Sequence, residues 1–248
     1  LKDRLRIVAG AVVTSATILV IALLIGSGAN VVSFITEQTG RGLQIEAPIS
    51  TPWLWAAAAG VPDTFIYYDR DILTFQIQGA GVDAAAALMT PLLMLAVAVV
   101  AFLGYRAMRA GVAAGDLFAP LALAFVTALI AFNKVGSPQF VSWLAVPIVL
   151  GLATSAAGSG RSFRTPAILV AVIAALTQVI YPYLYNSLLA LDPLLLGTLT
   201  VRNVLYFVLL GWAIHAIVTA PRGLLLDDDD DDDWLPSVWP PKEKVEEP

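Results

Sequence analysis

Long apolar runs separated by short polar stretches dominate the chain. A helix needs about 20 apolar residues to cross the hydrocarbon core of a bilayer. Runs of about that length occur at 7–28, 84–105, 117–132, 140–154, 166–189 and 199–219. Lipid offers backbone groups no partners, and the runs show no alternation of apolar and polar positions, so helices are expected rather than barrel strands. The pattern predicts an all-α integral membrane protein with about six transmembrane helices.

The segment between the first two runs, residues 30–83, is the longest connection. Its beginning is polar, and residues 53–59 form an apolar patch too short to cross a membrane, with Trp53 and Trp55 at its start. Tryptophan is enriched at membrane surfaces, so this patch is predicted to be a short interfacial helix. Residues 64–79 alternate roughly between apolar and polar, which indicates a small β-hairpin in this loop region.

The basic residues orient the predicted helices. One side of the six-helix arrangement carries Lys2, Arg4, Arg6, Arg106, Arg109, Arg161, Arg164 and Arg222. By the positive-inside rule this side is cytoplasmic, and segment 30–83 faces outward. The outward side carries four basic residues, Arg41, Arg70, Lys134 and Arg202. They are candidates for a specific role, and the alternative is that they anchor helix ends at lipid headgroups.

Composition agrees with a membrane protein. Hydrophobic residues make up 58% of the 248 positions and charged residues 13%, too apolar a balance for a soluble domain. The net charge of −5 is more than accounted for by seven consecutive aspartates at 227–233. The chain is therefore divided into a polytopic membrane domain, 1–220, and an acidic, proline-rich tail, 221–248, predicted to be disordered and cytoplasmic.

The same composition narrows the chemistry. The chain has no cysteine and one histidine, so thiolate and multi-histidine metal sites are excluded. No metal and no cofactor are expected. The partner implied by the apolar runs is a lipid bilayer, and nothing indicates nucleic acid.

Residues 133–143 place polar groups between two apolar runs. A lysine at the centre of a membrane helix costs about 2.5–3.5 kcal/mol on insertion scales, which favours a functional reading of Lys134. Ser137 and Pro138 are typical of a helix N-cap and first helical residue, and they would direct Gln139 toward an outward cavity. A helix N-terminus beside an ammonium predicts an anion site, with lipid phosphate as the ligand. The alternative is an ordinary capped helix with a lysine that snorkels to the surface.

Two segments carry a resemblance to a known family. They are RGLQIE at 41–46 and NKVGSPQF at 133–140, the latter followed by Trp143, Leu144 and Pro147. In order and separation they resemble two signatures in the C-terminal half of family 87 glycosyltransferases, which are GT-C type membrane mannosyltransferases and relatives that use polyprenyl-phosphate sugars. The resemblance covers most of residues 1–219.

The resemblance implies a multi-pass enzyme of the cell membrane. It would move a sugar, most often mannose, from a polyprenyl-phosphate donor to a lipid-linked or cell-envelope acceptor at the extracytoplasmic face, without a metal. The donor phosphate would be bound first by Lys134, then by Arg41 and Arg202. Hydrogen bonds to phosphate or sugar would come from Gln44, Asn133, Ser137 and Gln139.

One departure from the family concerns the catalytic carboxylate. In GT-C enzymes an aspartate in the first outward loop of a longer chain acts as base, and its expected neighbourhood is absent from this sequence. We therefore expect the chain to be the C-terminal portion of a longer enzyme. Glu46 is the candidate carboxylate in the sequence given, and the alternative is that Glu46 forms a local salt bridge with Arg41.

Two other classes of function stay open. Half of a transporter, for a polyprenyl lipid or a small solute, would also use outward basic residues and broken helices, and an inverted repeat would favour it. No such repeat is evident in the sequence. A non-catalytic membrane subunit is the third alternative.

Overall fold

The structure, a computed structural model, describes residues 2–25, 41–158 and 160–221. The predicted tail, 221–248, lies outside this part except for its first residue. The α-helices are α1 (Lys2–Ile25), α2 (Thr51–Ala58), α3 (Val82–Arg109), α4 (Ala114–Ala131), α5 (Ala145–Ala156), α6 (Arg164–Gln178), α7 (Tyr185–Leu189) and α8 (Pro193–Val218). The strands are β1 (Leu43–Gln44), β2 (Phe65–Asp69) and β3 (Thr74–Gln78). The fold is that of a helical membrane protein with one small sheet.

Helices long and apolar enough to cross a membrane are found where most of the apolar runs predict them. In the described part there are five, Val82–Arg109, Ala114–Ala131, Pro138–Ala156, Arg164–Tyr183 and Pro193–Val218. The protein is therefore a multi-pass membrane protein. The remaining run, 7–28, corresponds to α1, whose apolar part is Val12–Ile25. That part is shorter than a full crossing, and residues 26–28 lie outside the described residues, so a sixth span stays a prediction.

Helix α4 lies at the centre of the bundle and packs against α3, α5 and α8. Small side chains on α4 are fully buried, among them Ala124, Thr127 and Ala128. In lipid, helices associate by close packing rather than by the hydrophobic effect, and small residues allow that approach. On α3, by contrast, Met94 and Phe102 are exposed, as expected of a helix that faces acyl chains.

Helix α8 begins six residues before the predicted start at 199. Its N-cap is Asp192, whose carboxylate accepts hydrogen bonds from the backbone N–H groups of Leu194 (2.9 Å) and Leu195 (3.1 Å). Pro193 takes the first helical position, where its missing N–H costs nothing. As a result Arg202 lies about two and a half turns inside the helix, at 3.6 residues a turn, and not at its first turn.

The apolar run 166–189 is not one straight helix. After α6 the backbone passes through a π-helical segment, Val179–Tyr183, in which Tyr181 is extended, and it resumes as α7. The break turns Tyr185 toward the segment that follows β1, where its side chain becomes part of the site described below.

The three strands form an antiparallel sheet in the order β1-β3-β2. Residues 64–79, where the sequence indicated a hairpin, supply β2 and β3. In the β1–β3 ladder Leu43 lies opposite Ile77, and Gln44 lies opposite Gln76. One face of β1 is therefore apolar and the other polar, and all four side chains are buried. Burial of a polar face is unusual and marks this end of the bundle as a candidate site.

Helix α2 covers this sheet where the interfacial helix was predicted. Its two tryptophans donate to protein atoms: Trp53 Nε1 to the carbonyl of Ala80 (2.9 Å) and Trp55 Nε1 to Thr200 Oγ1 (2.9 Å). The first bond ties α2 to the start of α3, and the second ties it to α8. The sheet is thereby fixed to the bundle rather than suspended in a loop.

Candidate functional site

The two segments that carry the family resemblance meet in the fold. The backbone N–H of Gln44 donates to the carbonyl of Lys134 (3.0 Å), and the N–H of Gly136 donates to Gln44 Oε1 (3.1 Å). Gln44 and Gly136 are 92 positions apart in the sequence. We call the arrangement of residues 41–50, Gln76, 133–137, Tyr185 and Arg202 the candidate site.

Gly136 allows this contact because it has no side chain. A Cβ atom at this position would lie 2.2 Å from Ala47 N and 2.2 Å from the carbonyl carbon of Glu46. Both are backbone atoms, so they cannot rotate away. The glycine is therefore required for the two segments to lie against each other.

Glu46 is the buried carboxylate of the candidate site. Its side chain is 3% exposed, and Tyr185 Oη donates to Glu46 Oε1 (2.5 Å). Burial raises the pKa of Glu46, and the hydrogen bond from Tyr185 and the nearby charge of Arg202 offset only part of that rise. Oε2 accepts no hydrogen bond within ordinary geometric limits from the residues that the structure describes. Between Glu46 and Arg41, both of them described, there is no ion pair, so the salt-bridge alternative is wrong.

Arg202 holds the backbone that carries Glu46. Its Nη2 donates to the carbonyl oxygen of Glu46 (2.5 Å), and Nε and Nη2 donate to Asn203 Oδ1 (3.2 and 2.8 Å). Asn203 Nδ2 in turn donates to Thr51 Oγ1 (2.9 Å), at the start of α2. The guanidinium is 2% exposed and lies 5.8 Å from the ring centre of Tyr206. Arg202 thus connects α8 to the loop after β1 through the hydrogen bond from its guanidinium to the carbonyl of Glu46.

Lys134 and Arg41 bring two positive charges together. Lys134 is 6% exposed, and its pKa is lowered first by burial and then by the charge of Arg41. Like charges that lie close together in a poorly hydrated place repel each other, and an anion between them removes that cost. This part of the candidate site is therefore suited to a phosphate.

Unsatisfied polar atoms cluster at the candidate site. In the described residues the buried side-chain atoms without a hydrogen bond are Arg41 Nε, Glu46 Oε2, Gln76 Oε1 and Thr127 Oγ1. The first three belong to β1, its flanks or its partner strand, and Gln76 Oε1 lies so close to Gly42 that a Cβ there would be 2.3 Å away. Buried polar groups normally have partners, so one donor and two acceptors left open at one place indicate that a polar ligand completes them.

The remaining predicted residues have smaller structural roles. Asn133 Oδ1 accepts from the N–H of Val135 (2.9 Å) and closes a local turn. Ser137 precedes a 3₁₀ helix, Pro138–Leu144, with Pro138 in its first turn as predicted, but its hydroxyl makes no capping bond. The side chain of Gln139 is exposed. Of the eight candidates, Arg41, Gln44, Glu46, Lys134 and Arg202 are brought together most closely.

Three site residues were not found from the sequence. Tyr185 lies within one apolar run, Asn203 lies within another, and Gln76 lies within the predicted hairpin. A polar residue directly beside a buried arginine is a signal that would have identified Asn203. Pro182 marks the helix break before Tyr185, but the direction of the chain after the break, on which the role of Tyr185 depends, is set by tertiary packing. As for metals, no group of three or more histidine, aspartate or glutamate side chains in the described ranges could hold an ion.

Comparison with known proteins gives no match. No protein-family model, no curated protein and no solved structure is significantly similar to this chain.

Proposed function

We propose that the chain is the C-terminal part of a membrane glycosyltransferase, which moves a sugar, mannose in the first instance, from a polyprenyl-phosphate donor to a lipid-linked or cell-envelope acceptor. One observation carries the proposal. The two segments that resemble the family signatures, far apart in sequence, are in direct contact through Gln44, Lys134 and Gly136. A chance pair of short motifs has no reason to meet.

The charges of the candidate site suit the chemistry of this reaction. The acceptor hydroxyl oxygen attacks the anomeric carbon, the bond between that carbon and the phosphate oxygen breaks, and polyprenyl phosphate leaves. In the proposal Lys134 and Arg41 bind the phosphate, whose negative charge grows in the transition state. Hydrogen bonds from Gln44 and the 133–139 segment orient the donor.

Glu46 takes the proton of the acceptor hydroxyl in this proposal. Its raised pKa brings the carboxylate closer to the pH at which a general base works best. The unpartnered Oε2 is the atom that would accept the proton. Arg202 is already bonded to the carbonyl of Glu46, so its role is to position Glu46 and to keep a positive charge behind it.

The membrane orientation belongs to the same proposal. The candidate site would lie at the extracytoplasmic end of the bundle, with α2 at the membrane surface, and α1 would add a sixth span. The protein would reside in the cell membrane.

The test uses membranes that contain the full-length gene product. Transfer of label from radiolabelled polyprenyl-phosphate mannose to an envelope lipid extract is measured for wild type, Lys134→Ala and Lys134→Arg. Hydrogen bonds to charged groups are worth about 1.5–3 kcal/mol, so Lys134→Ala should raise the KM for the donor by roughly 10- to 150-fold. Lys134→Arg, which keeps the charge, should recover much of the loss.

Arg70→Ala is the matched control. Arg70 is an exposed cation in the turn between β2 and β3, so its removal should leave the KM unchanged. Equal KM values for Lys134→Ala and Arg70→Ala would remove Lys134 from the donor site. If the wild-type protein transfers no sugar from any polyprenyl-linked donor, the proposed function is wrong, and the transporter alternative becomes the one to test.

A further inference from the structure

A hollow lies between the ends of α3 and α8, at the end of the bundle away from β1. Its volume is about 180 Å³, against the ~10–15 Å³ that a single water needs, so it is large enough for a polyatomic group. Seven of its eight lining residues have apolar side chains, among them Leu103 and Ala107 of α3 and Ile217 and Val218 of α8. The eighth is Arg106, and polar groups make up about half of the lining surface.

A second guanidinium is bonded to Thr219, the residue between two that line the hollow. Arg161, from the connection between α5 and α6, donates through Nη2 to Thr219 Oγ1 (2.6 Å). Thr219 stands between two lining residues, Val218 and Ala220, and its hydroxyl is anchored on the carbonyl of His215 (2.7 Å). The bond holds Arg161 at Thr219, next along the chain to two lining residues.

The surroundings of the hollow carry an excess of positive charge. Arg109 ends α3 and Arg164 begins α6 at the same end of the bundle. The acidic residue Asp116 lies in the first turn of α4, where its Oδ1 is beside Gly160. We call this region, with Arg106, Arg109, Arg161 and Arg164, the arginine end.

We propose that the hollow at the arginine end binds one anionic phospholipid, with the phosphate between Arg106 and Arg161 and the glycerol and first acyl carbons against α3 and α8. The hollow sits where two membrane-spanning helices end, which is the depth of lipid headgroups. A ligand that is charged at one end and apolar at the other matches the lining. The tail carries leucines at 224–226 next to the aspartates at 227–233, so the experiment below also tests the tail as an occupant. This inference does not depend on the proposed glycosyl transfer.

The experiment measures lipid binding to the full chain in detergent. Native mass spectrometry gives dissociation constants for dioleoyl phosphatidylglycerol and for zwitterionic dioleoyl phosphatidylcholine. One basic residue near an anionic membrane surface is worth about 1 kcal/mol, so Arg106→Ala should weaken binding of the anionic lipid about fivefold and leave the other lipid unchanged. Arg109→Ala, an exposed arginine on the same helix that does not line the hollow, is the matched control and should change binding less than about twofold.

A second variant tests the cavity apart from its charge. Ala110 lines the hollow and is exposed, so Ala110→Leu fills it while both arginines stay in place, and it should weaken binding of the anionic lipid. Three results would overturn the proposal: equal affinities for the two lipids in wild type, equal effects of Arg106→Ala and Arg109→Ala, or no effect of Ala110→Leu. A last variant changes the seven aspartates at 227–233 to asparagine. If this variant binds the anionic lipid and wild type does not, the tail occupies the hollow in wild type and the proposal fails.

Discussion

The two ends of the bundle differ in how far their charged side chains are buried. At the candidate site, Glu46, Lys134 and Arg202 are all less than 7% exposed, and Glu46 and Arg202 make hydrogen bonds within the protein. At the arginine end, Arg106 and Arg109 are exposed on the surface, and a hydroxyl is the partner of Arg161. A buried charge costs several kcal/mol unless it is compensated, whereas an exposed charge costs little. In the proposals above, the first end carries out a reaction and the second end binds a lipid.

The largest expected effect comes from adding a side chain at Gly136, where the two segments of the candidate site are in contact. Gly136→Ala places a Cβ against backbone atoms, so the 133–137 segment must move and the bond from Gly136 to Gln44 is lost. We expect a loss of about 1–3 kcal/mol in the free energy of unfolding, with loss of activity. Thermal unfolding in detergent measures it. Gly197→Ala, on α8 with open space around it, is the control and should not lower the melting temperature; similar shifts for both variants would contradict the role of Gly136.

Glu46→Gln should abolish most sugar transfer without loss of the fold. The amide oxygen can still accept from Tyr185, but the group no longer takes a proton, and general base catalysis is worth about 10²–10⁴-fold. Because the pKa of Glu46 is raised, wild-type kcat should fall as the pH drops through that pKa, at a higher pH than for an ordinary glutamate. Asp71→Asn, an exposed acid in the turn after β2, should leave kcat and its pH profile as in wild type. A Glu46→Gln enzyme with normal kcat would exclude the base role.

The same pKa has a consequence for stability that does not depend on activity. A carboxyl whose pKa is higher in the folded state than in the unfolded state stabilises the fold at low pH, and that contribution is lost as the pH rises through the folded pKa. Wild type should therefore gain melting temperature, relative to Glu46→Gln, as the pH falls from 8 to 5. Parallel melting curves for the two proteins across this range would show that burial does not raise the pKa of Glu46.

Tyr185→Phe is expected to have a smaller effect. The lost hydrogen bond lowers the pKa of Glu46 in wild type, so its removal should raise that pKa further and move the acid limb of the kcat profile to higher pH. The cost in stability should be about 1 kcal/mol. Tyr183→Phe is a matched control, because Tyr183 is 77% exposed. An unshifted profile in Tyr185→Phe would mean that the hydroxyl does not act on Glu46.

At the arginine end the expected effect on folding is the smallest. Arg106 is exposed, so Arg106→Ala should change the free energy of unfolding by no more than about 0.5 kcal/mol and leave sugar transfer unchanged. Chemical denaturation together with the transfer assay checks both. A large loss of stability would show that Arg106, like the buried charges of the candidate site, is needed for the fold.

The sequence predicts the helices better than the contacts among them. Hydropathy locates most of the crossing helices because lipid penalises any polar stretch within them. It places the start of α8 too late, because Gly197 and Thr198 interrupt the apolar run, although Asp192 and Pro193 together are a strong helix-start signal. The break before Tyr185 lies inside the apolar run 166–189, which hydropathy treats as one helix, and only tertiary packing shows where the break directs the chain.

For the candidate site, the sequence identifies chemistry but not partners. Charge in an apolar setting singles out Lys134 and Arg202, and resemblance singles out segment 41–46. The sequence also allowed an ion pair of Arg41 and Glu46, which are near each other along the chain. In the fold, Glu46 turns instead to Tyr185 and Arg202, from two distant helical segments. Such choices depend on which helices are adjacent, and no local pattern contains that information.

The bond between Arg202 and the carbonyl of Glu46 also sets an order of events during synthesis. The two residues are 156 positions apart. At about 5–20 residues per second, the ribosome adds Arg202 roughly 8–31 s after Glu46. Through that interval the loop after β1 has left the ribosome without the arginine that holds it, and helices α3 to α6 are inserted first. The catalytic carboxylate proposed here therefore reaches its final position only when the last membrane helix arrives, and a nascent chain that stops before α8 cannot complete the site.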